Sequence, residues 1–198
     1  MIVEGKQKIW ADYQKDIPDD HYFYVRSCIR QSFFPASEVT FLDITRNKLG
    51  KDFYESAYHT TCGGIAYHSD SIPQETAMTI IARQFALMHE CGYENYVCSC
   101  ITSFGCYTET LETWHEFPEL EAKIRQYLWD SCKKEFAKPK YLAHASDIIY
   151  KFRHEIAKQA KYKLVNAKTG KPLKVVEHIG CHYSKMFPSK GFGGAEYP

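Results

Sequence analysis

Thr60-Thr61-Cys62-Gly63-Gly64 opens, and Tyr96-Val97-Cys98-Ser99-Cys100-Ile101-Thr102-Ser103-Phe104-Gly105-Cys106-Tyr107 closes, the stretch whose reading decides the fold. Between the two, Ala77, Ile80, Ile81, Phe85 and Met88 recur at helical spacing and Gly92 supplies a stop, so one amphipathic helix joins two thiol-bearing segments. Ser71 is expected to cap that helix, with Gln74 three positions on and Pro73 in its first turn. Tyr93 to Cys98 follows as a strand, and Phe53 to Tyr58 precedes Cys62 as another. This succession of strand, helix and strand predicts an α/β fold built from βαβ units with a mostly parallel sheet. Sites in such a fold gather beyond the carboxyl ends of the strands. Cys28, Cys62 and Cys100 then fall on one rim.

Working outward, His21-Tyr22-Phe23-Tyr24-Val25 is aromatic and β-prone, and the strand it predicts ends at Arg26-Ser27-Cys28. Residues 1–20 form an N-terminal extension, closed by the turn Pro18-Asp19-Asp20. Pro35 to Leu49 reads as a helix through Val39, Leu42, Arg46 and Leu49, with Gly50 as its stop. Cys98 and Cys100 alternate on a strand and so share a face, and Cys106 belongs to the loop that follows. Further helices are expected over Glu119 to Phe136 and Asp147 to Lys161, with a turn at Ala167 to Pro172. Lys174 to Ile179 reads as a strand ending at Gly180-Cys181-His182-Tyr183, a repeat of the arrangement at Cys28. The division is an extension over 1–20, a first module over 21–140, and over 141–198 a linker helix and the start of a second, truncated module.

A chain of 198 residues with 44% hydrophobic content can build a real core. Its net charge of +1, without a basic stripe, argues against nucleic acid and membrane surfaces as partners. No apolar run approaches the about 20 residues that span a bilayer, and Met1 to Lys15 has no signal-peptide core, so the protein is read as cytoplasmic. In a reducing compartment the eight cysteines point to metal binding or redox chemistry rather than structural disulfides. Cys91 and Cys132 are assigned to packing, as small buried hydrophobes. Two other classes stay open. Three cysteines and a histidine satisfy tetrahedral zinc in a scaffold module, and Cys62 or Cys106 paired with one of nine histidines makes a cysteine-nucleophile enzyme.

Cys28, the Cys62-Gly63-Gly64 turn, the Cys100 to Gly105 stretch and Gly180-Cys181-His182-Tyr183 resemble the cysteine-rich CCG domains of the heterodisulfide reductase B subunit. The family pattern is one cysteine, a long gap, a Cys-Cys pair followed by Gly or Pro, a similar gap, then Cys-x-x-Cys. Here the gaps are 34 and 38 residues. Thr61 and Ser103 stand where two of the five thiols would be, so Cys28, Cys62 and Cys100 are the retained positions. The resemblance implies an iron-sulfur cluster, 4Fe-4S of conventional or non-cubane type, held by those cysteines. Cys106, Cys98 and His59 are candidates for a further ligand, with Cys106 first, and Cys181 would serve a second module. Gly63, Gly64 and Ser103 would line the cofactor, and His59, His68 and His182 are candidate proton donors. The Ile101 to Gly105 variant is similar to the B-subunit homologues of the sulfur-oxidising heterodisulfide-reductase-like complexes. This implies an electron-transferring subunit that works on a disulfide or persulfide type of sulfur substrate. The partners it implies are a ferredoxin-like C subunit, together with a flavin-containing A subunit.

Overall fold

The computed structural model describes residues 16–161 and 165–174. Four strands, β1 (Tyr22–Val25), β2 (Phe53–Glu55), β3 (Asn95–Cys98) and β4 (Tyr141–His144), form one sheet in the order β2-β1-β3-β4. Every pairing is parallel. The α/β expectation therefore holds. Tyr22, Phe23, Tyr24 and Val25 are all buried, because a parallel strand covered on both faces has no wet side. The aromatic run at this position needed no polar alternation for that reason.

The helices divide between the two faces. α1 (Cys28–Phe33) and α2 (Pro35–Leu42) link β1 to β2, and α2 runs on through a π-helical turn, Asp43–Lys48. Pro35 starts α2, where its missing N–H costs nothing. α3 (Gly64–His68) and α4 (Gln74–Glu90) link β2 to β3, α5 (Ile101–Glu116) and α6 (Pro118–Cys132) link β3 to β4, and α7 (Ala145–Lys151) and α8 (Arg153–Gln159) follow. Phe23, Val25, Tyr96 and Cys98 face a core with Met78, Ile81, Phe85, Phe104, Tyr107, Trp114 and Ile124 of α4 to α6. Tyr22, Tyr24, Phe53, Val97 and Ala143 face Phe41, Leu42, Ile148 and Phe152 on the other side. The first crossover runs from β1 to one neighbour and the next returns past it to the other, so their helices lie on opposite faces. This reversal puts a topological switch point between β1 and β3, where ligands of open α/β sheets bind.

Several local expectations are corrected. Ser71 does not cap α4: Pro73 holds the N-cap position in an extended conformation without a side-chain cap, and the Ser71 hydroxyl is 2.8 Å from that of Ser69. Cys98 and Cys100 do not share a strand, because β3 ends at Cys98 and Cys100 is the N-cap of α5. Cys106 is not in a loop either; it lies in the second turn of α5. Cys132 is exposed at the end of α6 rather than buried, with its thiol directed at the Leu128 carbonyl 3.3 Å away. Residues 1–15 of the expected extension, residues 175–179 of the expected last strand, Cys181 and His182 lie outside the described residues. No helix of the described residues is long and apolar enough to cross a membrane.

Candidate functional site

The loops leaving the carboxyl ends of β1, β2 and β3 carry the cysteines. After β1, the Ser27 hydroxyl accepts from the Arg30 N–H at 3.1 Å and caps α1, leaving Cys28 exposed as the first helical residue. After β3, buried Ser99 leads into half-buried Cys100. Glu38 of α2, only 1% exposed, lies between these segments: its Oε1 accepts from the Ser27 N–H at 2.7 Å and from the Ser99 hydroxyl at 2.5 Å. One carboxyl group thus ties together the residues just before Cys28 and Cys100, across the switch point.

Cys62 comes from the loop between β2 and α3. Its Sγ accepts from the Gly64 N–H at 3.3 Å and from the Ser103 hydroxyl at 3.2 Å. Ser103 and Cys106 are three residues apart on α5 and so share a face, which brings the Cys106 thiol to the same place. A Cβ on Gly64 would come within 2.7 Å of Cys106 Sγ and 3.2 Å of Cys62 Sγ, so the glycine is what lets both sulfurs occupy the recess above it. Gly63 turns the chain into α3 with φ +72°, a conformation glycine adopts without cost. On the far side of Cys106, its Sγ is 3.4 Å from His68 Nε2. Thr61 extends the site outward by donating its hydroxyl to Cys28 Sγ at 3.8 Å.

These contacts set the acidity of the thiols. The Cys106 thiol donates to Cys62, and the Ser103 hydroxyl and Gly64 N–H add to it. Together they outweigh burial and hold Cys62 down at about 6. Cys106 is pushed far up, because its proton makes the bond to Cys62 and burial disfavours a second anion beside the first. Cys98 is a different kind of thiol. It is 1% exposed, faces the carbonyls of Cys100 and Ala143 at 3.9 Å, and is raised chiefly by burial.

The structure therefore brings together Cys62, Cys106, Ser103 and Gly64, with Cys28 joined through Thr61 and Cys100 on the same edge. It does not bring in Cys98, nor His59, whose Nδ1 lies 2.6 Å from the Ser56 carbonyl. Glu38 is the participant that the sequence reading lacks. A glutamate in a helix gives no signal of burial, and its partner Ser99 is 61 residues away.

No family model matches the chain. Over 191 residues the sequence is 25% identical to the B subunit of the ferredoxin:CoB-CoM heterodisulfide reductase of Methanosarcina acetivorans, a match covering 93% of this chain. The chain is thus similar to a heterodisulfide reductase B subunit. It spans 59% of that protein's length. Thr61 and Ser103, the positions at which the resemblance expects thiols, each donate a hydroxyl to a cysteine, Thr61 to Cys28 and Ser103 to Cys62.

An iron-sulfur group can be tested against this edge. The donor type fits, since soft thiolates select such clusters, and Cys28, Cys62, Cys100 and Cys106 all lie at the carboxyl edge of the sheet. They are not gathered into one shell: among the described residues, no three His, Cys, Asp or Glu side chains converge to hold a metal ion.

Proposed function

We propose that this chain is the iron-sulfur subunit of a cytoplasmic heterodisulfide-reductase-like complex, passing electrons to or from a sulfur substrate of the disulfide or persulfide class. The observation that carries this reading is the thiol edge at the switch point of a chain similar to a B subunit, where Cys28 and Cys62 accept hydrogen bonds from the hydroxyls of Thr61 and Ser103. Cys28, Cys62 and Cys100 are the proposed ligands. Cys106 is the proposed fourth, because α5 sets its sulfur beside that of Cys62. Cys181 is assigned to the second module that begins after residue 140.

A thiolate-held cluster supplies one-electron transfer at a potential set by hydrogen bonds to sulfur and by solvent access. The chain's own residues act on both controls. Thr61, Ser103 and the Gly64 N–H donate to the sulfurs and favour their more negative state. Buried Phe104 and Tyr107 exclude water from the inner side, and His68 Nε2, 3.4 Å from Cys106 Sγ, is a further polar neighbour of that sulfur. The proposed partners in electron delivery are a ferredoxin-like C subunit, together with a flavin-containing A subunit.

The test is iron and acid-labile sulfide quantification, with electron paramagnetic resonance, on anaerobically purified protein. Cys28→Ala, Cys62→Ala and Cys100→Ala should each lower iron per chain, while Cys132→Ala leaves it unchanged. Full iron in all three variants, or a colourless wild type carrying zinc, would overturn the assignment.

A further inference from the structure

We propose that Cys62 and Cys106 form a dithiol that closes reversibly into a disulfide, a two-electron exchange with small disulfides that requires no metal. Their sulfurs share the recess over Gly64, at 3.2 and 2.7 Å from the point where a Cβ would stand, which sets the two thiols side by side. The surroundings of each sulfur differ in a way that suits two roles. Cys62 Sγ faces two donors, the Ser103 hydroxyl and the Gly64 N–H, which stabilise a sulfur anion either before attack or as it leaves. Cys106 Sγ faces His68 Nε2, which is placed to take its proton. Cys62 lies in a loop between β2 and α3, whereas Cys106 is fixed within α5, so closing the bond asks movement of the loop alone.

The exchange balances without an outside electron source. Cys62 sulfur attacks one sulfur of a low-molecular-weight disulfide, forming a mixed disulfide and releasing the first thiolate. Cys106 gives its proton to His68 and attacks Cys62 Sγ, which forms the Cys62–Cys106 bond and releases the second thiolate. The protons of the two cysteines leave on the two product thiols. The substrate disulfide is reduced by two electrons and the protein dithiol is oxidised by two; a small thiol run in reverse restores it. Cys62 and Cys106 are 6% and 4% exposed, so reagents of small size are the ones admitted. Disulfides of this transient kind are the ones a reducing compartment permits.

This activity stands on the sulfur geometry and does not rest on the iron-sulfur reading. The two are alternative states of one edge, because the disulfide withdraws two of the proposed ligands. The experiment treats chelator-stripped, reduced full-length protein with glutathione disulfide, then denatures it in N-ethylmaleimide and maps the peptides. The expected result is a Cys62–Cys106 cross-link with loss of two hydrogen masses, release of both glutathione halves, and full reversal by dithiothreitol. Cys106→Ser should instead trap glutathione on Cys62, and Cys62→Ser should abolish the cross-link, each with unchanged circular dichroism. Both thiols remaining alkylatable, a stable glutathione adduct on wild-type Cys62, or a cross-link from Cys62 to Cys28 or Cys100 would each overturn the proposal. The iron reading fails separately, on the metal content of untreated anaerobic protein.

Discussion

Ser99 Oγ donates to Glu38 Oε1 at 2.5 Å, fastening the segment between β3 and α5 to helix α2. The same oxygen accepts from the Ser27 N–H, so the ends of the two central strands meet at one carboxyl group. Removing it leaves a buried N–H and a buried hydroxyl without their acceptor, at about 1–3 kcal/mol each. Glu38→Ala should therefore destabilise the protein by about 3 kcal/mol in urea unfolding, and Glu38→Gln, which keeps an acceptor oxygen, by about 1 kcal/mol. An alanine variant as stable as wild type would show that the clamp carries no weight.

Acidity at Cys62 gives a pH signature in metal-free protein. Its thiol is held at about 6, against about 8.5 for a free cysteine, so across that interval the unfolded chain binds more protons than the folded one. Stability should rise with pH through this window, and the contribution is lost as pH falls through 6. Above about 8.5 the trend reverses, because folded Cys106 is pushed up and keeps a proton that the unfolded thiol releases. Ser103→Ala removes one donor to Cys62 and should move the lower limb to higher pH. Urea midpoints measured across pH, in wild type and variant, read both limbs.

Gly64→Ala tests the recess. Its added Cβ meets Cys106 Sγ at 2.7 Å and Cys62 Sγ at 3.2 Å, separations that force one sulfur to move. Overpacking of this kind costs about 1–3 kcal/mol. The variant should unfold at lower urea concentration and should raise the Cys62 thiol towards its ordinary value, seen as a shift in the ultraviolet thiolate titration. A stable variant with an unmoved titration would place the sulfurs farther apart.

Placing thiols at the two positions where the resemblance expects them tests the proposed cofactor. Thr61→Cys with Ser103→Cys puts sulfur beside Cys28 and Cys62, where the hydroxyls now donate. Iron bound per chain after anaerobic reconstitution should increase relative to wild type, with a changed paramagnetic spectrum. An unchanged iron count would argue against these two positions as part of a cluster shell.

Much of the scaffold was legible in the chain itself. A 3.6-residue apolar period marks Ala77 to Met88, and an unbroken aromatic run marks Tyr22 to Val25, because both patterns follow from which faces must leave water. Those two signals were sufficient for strand, helix and strand, and hence for a parallel sheet with cysteines beyond its strand ends. The start of α5 was not legible. Ile101-Thr102-Ser103-Phe104-Gly105 is built from poor helix formers, and it is helical because Ser103, Phe104, Gly105, Cys106 and Tyr107 are all buried in tertiary packing. β4 was missed as well, since a four-residue strand with half-buried Tyr141 and Leu142 carries little periodicity of its own.

That one misread helix changes the chemistry. As a loop residue Cys106 had no defined neighbour, whereas on α5 it shares a face with Ser103 and meets Cys62 over Gly64. The order of strands and cysteines in the sequence was enough to set Cys28, Cys62 and Cys100 beyond the strand ends. Tertiary structure decided which of them touch, because Cys62 and Ser103, Cys28 and Thr61, and Glu38 and Ser99 are 41, 33 and 61 residues apart. Contacts of that range depend on how the crossovers stack on the sheet, a path that no local periodicity encodes.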